Sequence, residues 1–448
     1  MTDLLVAPAT RPLSGVVPVP GDKSITHRAL MLAALADGRS SIKSLRMGVD
    51  NRTTAGVLRA LGVSIEAESE DVMIVEGVGL TGLTAPAEPL DCGNSGTTMR
   101  LLAGILAAQP FRSVLTGDES LRSRPMARIA TPLRARGARI EGALGKRPGE
   151  ITAPLEIGPL PPPHVLSETT FLSPIASAQV KSALLLSGLY SEGRTTFQEP
   201  TVSRDHTERM LDALGAPILR SGSVVVLEGG AFSGHLRPFE LEVPGDLSAA
   251  AFVLAAGTLV AGSDVGVRRV GLNPTRTGFL EMARLFGAKV HSAAEALELG
   301  ETLGSTRAVS GALSGTTIAG ELVARGIDEI PIAIALAARA RGRTVFADAA
   351  ELRVKESDRL LAMAEVLRAF GVPCEETPDG LIVEGVPDRP LRAAVVDSRG
   401  DHRIAMSAAV LALVADGPCR IRDVDNVATS FPRFAGTLRA LGADVSAK

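Results

Sequence analysis

Six times along this chain an amphipathic helix ends, the backbone reverses through a glycine, and a short strand begins. The phrase reads LRALGVSI from Leu58, LRARGARI from Leu133, LDALGAPI from Leu211, ARLFGAKV from Ala283, LRAFGVPC from Leu367 and LRALGADV from Leu438. In each copy the last helical turn runs into a Gly free to take φ > 0 just past the helix end. These glycines stand at 62, 137, 215, 287, 371 and 442, spaced 75, 78, 72, 84 and 71 residues apart. Such recurrence means one supersecondary unit used repeatedly, each copy relying on neighbours to bury its apolar face.

A second helix recurs in the same frame. It opens on polar residues, turns almost wholly apolar and mostly stops at Gly. The copies are Lys23–Asp37, Ser95–Ala108, Ser177–Leu189, Leu247–Ala261, Ile330–Arg341 and His402–Ala415. A helix apolar on most faces has to be buried. Strand-like runs such as RTTFQEP from Arg194 and RTVFADA from Arg343 follow it. The unit is therefore apolar helix, strand, amphipathic helix, then one or two strands. At 448 residues the chain is too long for one ordinary core, so two domains of three repeats are expected. Pro-Gly segments at VPGDK from Val19 and VPGD from Val243 are natural crossing points between them. That predicts a discontinuous domain of residues 1–20 plus 243–448 with repeats four to six. Residues 21–242 form the other, with repeats one to three, and the active site is expected in the cleft between the two.

Composition removes several function classes. A formal net charge of -3 gives no field that would gather nucleic acid. Trp is absent and Tyr190 is the only tyrosine, so platforms for base stacking are few. Cys92, Cys374 and Cys419 are odd in number and lack CxxC spacing, which argues against a disulfide framework or a zinc site and for a reducing compartment. The opening MTDLLVAPATRP has no basic-then-apolar pattern, and runs such as Ala249–Ala261 are too short to span a bilayer. A cytoplasmic protein without nucleic-acid or membrane partners is expected.

The charges at helix starts are more informative. A helix N-terminus carries partial positive charge and favours acids over bases. Here Lys23 and Arg28 flank a start at Gly21-Asp22-Lys23-Ser24, Arg124 precedes Pro125, Arg204 precedes Asp205-His206-Thr207, Lys355 and Arg359 flank Glu356-Ser357-Asp358, and Arg403 follows Asp401-His402. Each costs ~0.3–1 kcal/mol of helix stability unless compensated. Recurring in one repeat frame, they point to bound anions as the compensator. Gly93-Asn94-Ser95-Gly96-Thr97-Thr98 adds small residues that let an anion approach the backbone. Taken singly, each segment also reads as a well-capped helix. Among the cations stand Asp328, Glu329 and Glu356. Dipole-favoured N-terminal acids explain Glu329 well, whereas a carboxylate amid cations stays ionised and can move protons. No Walker loop, HExxH or GxSxG motif occurs.

These clusters, in this order, resemble the enolpyruvyl transferase family, in the branch whose acceptor is shikimate 3-phosphate. The segments that carry the resemblance are PGDKSITHR from Pro20, GNSGTTMR from Gly93, RSRPM from Arg122, SAQVKSALL from Ser177, RDHTERML from Arg204, NPTRTG from Asn273, IDEIP from Ile327, RVKESDR from Arg353, DHRIAMS from Asp401 and TSFP from Thr429. They run from one end of the chain to the other. The resemblance implies a two-domain inside-out α/β barrel of six βαβαββ repeats, three per domain, around buried helices. It implies transfer of the enolpyruvyl group of phosphoenolpyruvate to the 5-hydroxyl of shikimate 3-phosphate, on the way to chorismate and the aromatic amino acids. It implies a monomer with no metal and no organic cofactor.

Residue by residue, it implies that Lys23, Ser24, Arg28, Ser177, Ala178, Gln179 and Arg204 hold shikimate 3-phosphate. Lys23, Asn94, Gly96, Arg124, Gln179, Arg359 and Arg403 would surround phosphoenolpyruvate. Asp328, helped by Lys355, would serve as base at the target hydroxyl, and Glu356 would move the proton at the methylene carbon. The chain departs from the pattern where Thr429 and Ser430 precede Phe431-Pro432, a place where many members carry Lys. The resemblance leaves glyphosate sensitivity open, since SAQVKS, RDHTE and RVKESDR resemble the tolerant subgroup while Gly96, where that subgroup carries Ala, leans to sensitive. The rival sister activity on UDP-N-acetylglucosamine usually needs a Cys in the loop that here reads Gly117-Asp118-Glu119-Ser120. A non-catalytic anion-binding protein on the same scaffold would not need Asp328 and Glu356 together.

Overall fold

The glycine that closes each repeat adopts the left-handed conformation that its place requires. In the computed structural model, which describes residues 2–44, 47–69, 71–145, 147–160 and 164–447, φ is 89°, 105°, 93°, 81°, 76° and 105° at Gly62, Gly137, Gly215, Gly287, Gly371 and Gly442. The helices they end are Val49–Ala60, Ala127–Ala135, His206–Ala213, Gly278–Leu285, Arg359–Ala369 and Phe434–Ala440. A second device holds the reversal. Arg59 donates to the carbonyl of Ile65 at 2.9 Å, Arg134 to Ile140 at 2.6 Å, Arg284 to Val290 at 3.4 Å and Arg439 to Val445 at 3.3 Å. In four repeats, then, a guanidinium in the last turn clamps the strand that follows, with the same six-residue offset. The third repeat has Asp212 there, which cannot donate and pairs instead with Arg220 at 3.1 Å.

The apolar helices are Lys23–Leu35, Gly96–Leu106, Ala178–Gly188, Leu247–Leu259, Ile330–Ala337 and His402–Ala412. Five are capped by an acceptor side chain on a first-turn N–H, from Asp22, Ser95, Ser177, Asp246 and Asp401. The fifth in order has Pro in its first turn instead. It is shorter than the expected Ile330–Arg341, because Ala340–Arg341 leaves the helix to pair in parallel with Leu313–Ser314. Periodicity cannot mark that boundary, since helix and strand there are equally apolar.

Four of the buried helices link two parallel strands of one sheet. Leu90–Asp91 pairs with Ser113–Thr116, Thr169–Leu172 with Arg194–Gln198, Thr317–Ile318 with Arg343–Phe346, and Val395–Asp397 with Cys419–Arg422. An antiparallel hairpin then completes four strands, and this βαβαββ order gives six four-stranded sheets among the described residues. Two sheets borrow their first strand. Asp37–Lys43 takes Glu240–Glu242, and Asp264–Gly271 takes Ser14–Val17. The sixth sheet takes Leu4–Val6 between Cys419–Arg422 and Val445–Ala447.

Two compact units result, each with its own hydrophobic core. One comprises Gly21–Val243 with Leu297–Glu301, and the other Met1–Pro20, Pro244–Ala296 and Thr302–Lys448. The short segment Leu297–Glu301 leaves the run of its neighbours in sequence, a detour that sequence reasoning did not foresee. Within the unit of repeats four to six, the three buried helices pack on one another. In the other, Gly96–Leu106 packs on both Lys23–Leu35 and Ala178–Gly188. Gly104 permits that approach, because a Cβ there would lie 2.2 Å from the carbonyl oxygen of Ala183. Sheets outside and apolar helices inside make an inside-out α/β arrangement in each unit.

Candidate functional site

In the unit of repeats one to three, the starts of the three buried helices carry the expected residues. Lys23 opens the first helix, ion-paired to Asp50, while its backbone carbonyl accepts from Asn51 Nδ2 at 3.0 Å. One turn on, Arg28 is buried. Its Nη1 donates to the Ser24 carbonyl at 2.9 Å, its Nε to Thr207 Oγ1 at 2.7 Å and its Nη2 to Ser182 Oγ at 2.7 Å. Burial lowers its pKa to about 10 despite the attraction of Glu208, and the nearby cation Arg204 adds to the lowering. Arg204 itself stands half-buried just before Asp205. Ser177 caps the third helix through Val180 N at 3.4 Å, with Ala178 as its first residue.

A second cluster surrounds the start of the Gly96–Leu106 helix. Arg124 Nη2 donates to Asn94 Oδ1 at 2.6 Å, and Asn94 Nδ2 donates to Asp118 Oδ2 at 2.7 Å. Gln179 reaches across from the third helix, donating to Thr97 Oγ1 at 3.0 Å and accepting from Arg100 Nη1 at 2.7 Å. A Cβ at Gly96 would lie 2.9 Å from Arg100 Nη1 and 3.3 Å from Arg124 Nη1, so a side chain there would displace these guanidinium groups. The structure thus gathers Asn94, Gly96, Arg124 and Gln179 around one small-residue helix start. Arg100 joins them unforeseen, although its position one turn after Gly96 is a helical-face signal that a reader could have used.

Between the two clusters runs a chain of buried hydroxyls. His27 Nδ1 meets Thr54 Oγ1 at 2.7 Å, Thr54 Oγ1 meets Thr98 Oγ1 at 2.6 Å, and Thr98 Oγ1 donates to Ser95 Oγ at 2.7 Å. Thr54 Oγ1 also lies 3.4 Å from the Asp50 carbonyl oxygen. Burial, reinforced by Lys23, lowers the His27 pKa to about 3, so the ring is neutral near neutral pH. His27 is therefore a packing and relay residue, not a titrating switch near neutral pH.

In the unit of repeats four to six, Arg359 is the hub. It is buried, and each of its nitrogens serves a different carboxylate. Nε donates to Asp401 Oδ2 at 2.8 Å, Nη1 to Asp328 Oδ1 at 3.2 Å and Nη2 to Glu356 Oε2 at 2.6 Å. Burial opposes its charge, but the attraction of Asp401, Glu356 and Asp328 outweighs burial and raises its pKa. Burial likewise opposes ionisation of Asp401, and Arg359 overrides it, so Asp401 lies below the usual carboxylate range. Lys355 Nζ stands 3.6 Å from Asp328 Oδ1. Arg403 donates through its backbone N to Asp401 Oδ1 at 2.9 Å and through Nη1 to the Asp328 carbonyl at 2.9 Å. Asp328, Lys355, Glu356, Arg359 and Arg403 are thus brought together, with Asp401 as an orienting carboxylate not singled out from sequence. The Thr429–Ser430 turn supplies no cation. Thr429 Oγ1 closes a turn on the Asn426 carbonyl at 2.7 Å.

The arrangement offers cations and small-residue backbone to anions in one unit, and carboxylates held by cations in the other. Among the described residues no His, Cys, Asp and Glu grouping could hold a metal ion, and no helix is long and apolar enough to cross a membrane.

Comparison with known proteins agrees with this chemistry. The family model for EPSP synthase (3-phosphoshikimate 1-carboxyvinyltransferase) matches residues 8–438. The 3-phosphoshikimate 1-carboxyvinyltransferase of Acidithiobacillus ferrooxidans is 48% identical over 442 residues, covering 99% of this chain and 98% of that protein. That of Desulforamulus reducens is 46% identical over 439 residues, covering 98% and 99%. The solved structure of EPSP synthase from Acinetobacter baumannii superposes with a TM-score of 0.88 at 40% identity, over 100% of both chains.

Proposed function

This chain belongs to the EPSP synthase (3-phosphoshikimate 1-carboxyvinyltransferase) family, and from that premise we propose how its residues divide the work. The reaction is enolpyruvyl transfer from phosphoenolpyruvate to shikimate 3-phosphate, a step of the shikimate pathway. Both substrates are anions, so bringing them together is repulsive until protein cations neutralise them. In our reading Lys23, Ser24, Arg28, Ser177, Ala178, Gln179 and Arg204 hold shikimate 3-phosphate. Lys23, Asn94, Gly96, Arg124 and Gln179, with Arg359 and Arg403 of the other unit, hold phosphoenolpyruvate. Arginine forks suit this task because they fix orientation as well as charge.

Asp328 carries the chemical proposal. Its Oδ1 faces Lys355 Nζ at 3.6 Å and Arg359 Nη1 at 3.2 Å, a setting that keeps a carboxylate ready to accept a proton. Asp328 takes the proton of the 5-hydroxyl as that oxygen attacks C2 of phosphoenolpyruvate. Glu356 gives a proton to the methylene carbon, which becomes the methyl group of a tetrahedral adduct. Glu356 then takes a proton back as the phosphate leaves and the double bond re-forms. The three free cysteines fit a reducing, cytoplasmic setting, and we infer a monomer.

Phosphate release with shikimate 3-phosphate as acceptor, and none with UDP-N-acetylglucosamine, tests the activity. Asp328→Asn tests the roles. Its turnover number should fall by about 10²–10⁴, the usual worth of general base catalysis, with both KM values changing far less. An equal loss in KM and turnover would remove Asp328 from the base position.

A further inference from the structure

Glu329 follows the proposed base and looks from sequence like an acid placed to favour a helix N-terminus. The structure uses it differently. Its side chain is 1% exposed and caps no N–H of the helix it precedes. Its Oε1 accepts from Ser248 Oγ, and it lies 3.5 Å from Arg276 Nη1 and 3.8 Å from Arg403 Nη1. Arg276 Nη2 in turn donates to Ser248 Oγ at 2.8 Å and to Asp246 Oδ1 at 3.1 Å. Asp246 caps the fourth repeat's buried helix through Ser248 N at 2.8 Å. One carboxylate therefore joins the starts of the buried helices of repeats four, five and six.

We propose that Glu329 is a positioning residue for enolpyruvyl transfer, setting Arg403 and the peptide that carries Asp328. The claim rests on the reading that Arg403 binds phosphoenolpyruvate and Asp328 is the base. The Asp328–Glu329 peptide is held from both sides. Arg403 Nη1 donates to the Asp328 carbonyl at 2.9 Å, while the Glu329 carboxylate is anchored on Ser248 and faces the same Nη1. Without the Glu329 carboxylate, Arg403 Nη1 keeps its carbonyl partner but loses the charged neighbour that helps to fix it. A charge so deeply buried is costly as a stabilising device, since an apolar group of equal volume commonly does as well. Its worth lies in geometry, where small displacements are expensive for the reaction.

The test is Glu329→Gln, which keeps volume and removes charge, measured beside Arg403→Lys and the double variant. Glu329→Gln should raise the KM for phosphoenolpyruvate about tenfold, the size of one charge-assisted contact, with the KM for shikimate 3-phosphate and the unfolding midpoint little changed. Combined with Arg403→Lys, the effects should be less than additive. Equal change in both KM values, or a lowered midpoint with normal kinetics, overturns the inference. If Arg403→Lys raises the KM for phosphoenolpyruvate while Glu329→Gln does not, the inference alone fails. If Arg403→Lys leaves that KM unchanged, the reading beneath it fails and takes the inference with it. Should Glu329→Gln not fold, Ser248→Ala removes the anchor instead and should raise the same KM about threefold, in keeping with loss of one hydrogen bond. No change there also overturns the claim.

Discussion

Replacing Arg359 with Lys preserves the charge at the hub and destroys its geometry. The guanidinium serves Asp401, Asp328 and Glu356 from three separate nitrogens, at 2.8, 3.2 and 2.6 Å. An ammonium is one point and, from the same backbone position, reaches one of those carboxylates well. Hydrogen bonds to charged groups contribute ~1.5–3 kcal/mol each, so two lost contacts amount to ~3–6 kcal/mol. Asp328 and Glu356 are 15% and 27% exposed, so water offsets part of that loss. Asp401 is fully buried and has no such relief. The lower end, about 3 kcal/mol, is therefore expected. For a unit of this size that lowers the melting temperature by about 6–12 °C. Scanning calorimetry with and without phosphoenolpyruvate reads the shift, and the KM for phosphoenolpyruvate should rise at least about tenfold as the carboxylates lose their common tie. A melting temperature unchanged within about 1 °C, far below what this size scaling predicts, would refute the hub argument.

Other outcomes follow from features at a distance from this hub. His27 has a folded pKa of about 3 against 6.5 for the free imidazole, so its contribution to stability is complete above pH 6.5 and is lost as pH falls toward 3. His27→Asn should flatten the acid limb of a melting-temperature profile across that window, and an unchanged limb would count against burial as the cause. Gly96→Ala should press on Arg100 and Arg124 and raise the KM for phosphoenolpyruvate by about tenfold or more, as expected when a tight polar site is displaced, leaving shikimate 3-phosphate binding less affected. Gly287→Ala meets nothing nearer than 3.9 Å, so only its φ of 81° is at stake. A loss of ~1–2 kcal/mol by chemical denaturation, with normal kinetics, is expected from left-handed strain alone.

The repeat was legible because its two signals are local. A glycine past an amphipathic helix and a helix apolar all round need no knowledge of distant contacts. Basic residues at helix starts were equally visible, since they contradict the helix dipole. What sequence did not reveal depends on long-range placement. Asp50 beneath Lys23, Ser182 and Thr207 beneath Arg28, and Asp401 beside Arg359 lie 27 to 179 residues from their partners or sit in other repeats. No spacing rule reaches that far. Glu329 stands at a helix start, as its sequence position implies, and its further contacts are of the same long-range kind. At a helix start an acid has a sufficient local explanation, and only the positions of Ser248 and Arg276 reveal its other use. The detour of Leu297–Glu301 is similar, since His206 Nδ1 meets Glu301 Oε1 at 2.7 Å across 95 residues of chain.

The borrowed strands bear on how the chain is made. Residues 21–243 contain every strand of the three sheets in their unit, so those sheets can close as soon as Glu240–Glu242 has left the ribosome. Leu4–Val6 is synthesised before all of them and pairs last, because its neighbours are Cys419–Arg422 and Val445–Ala447. At ~5–20 residues per second the wait is roughly 20–90 s. Throughout it a short apolar segment keeps both edges unsatisfied, for the second half of the wait beside a unit whose strands are all already made. Leu4–Val6 is therefore the strand that waits longest for its partners, and its two open edges are the aggregation hazard of the growing chain.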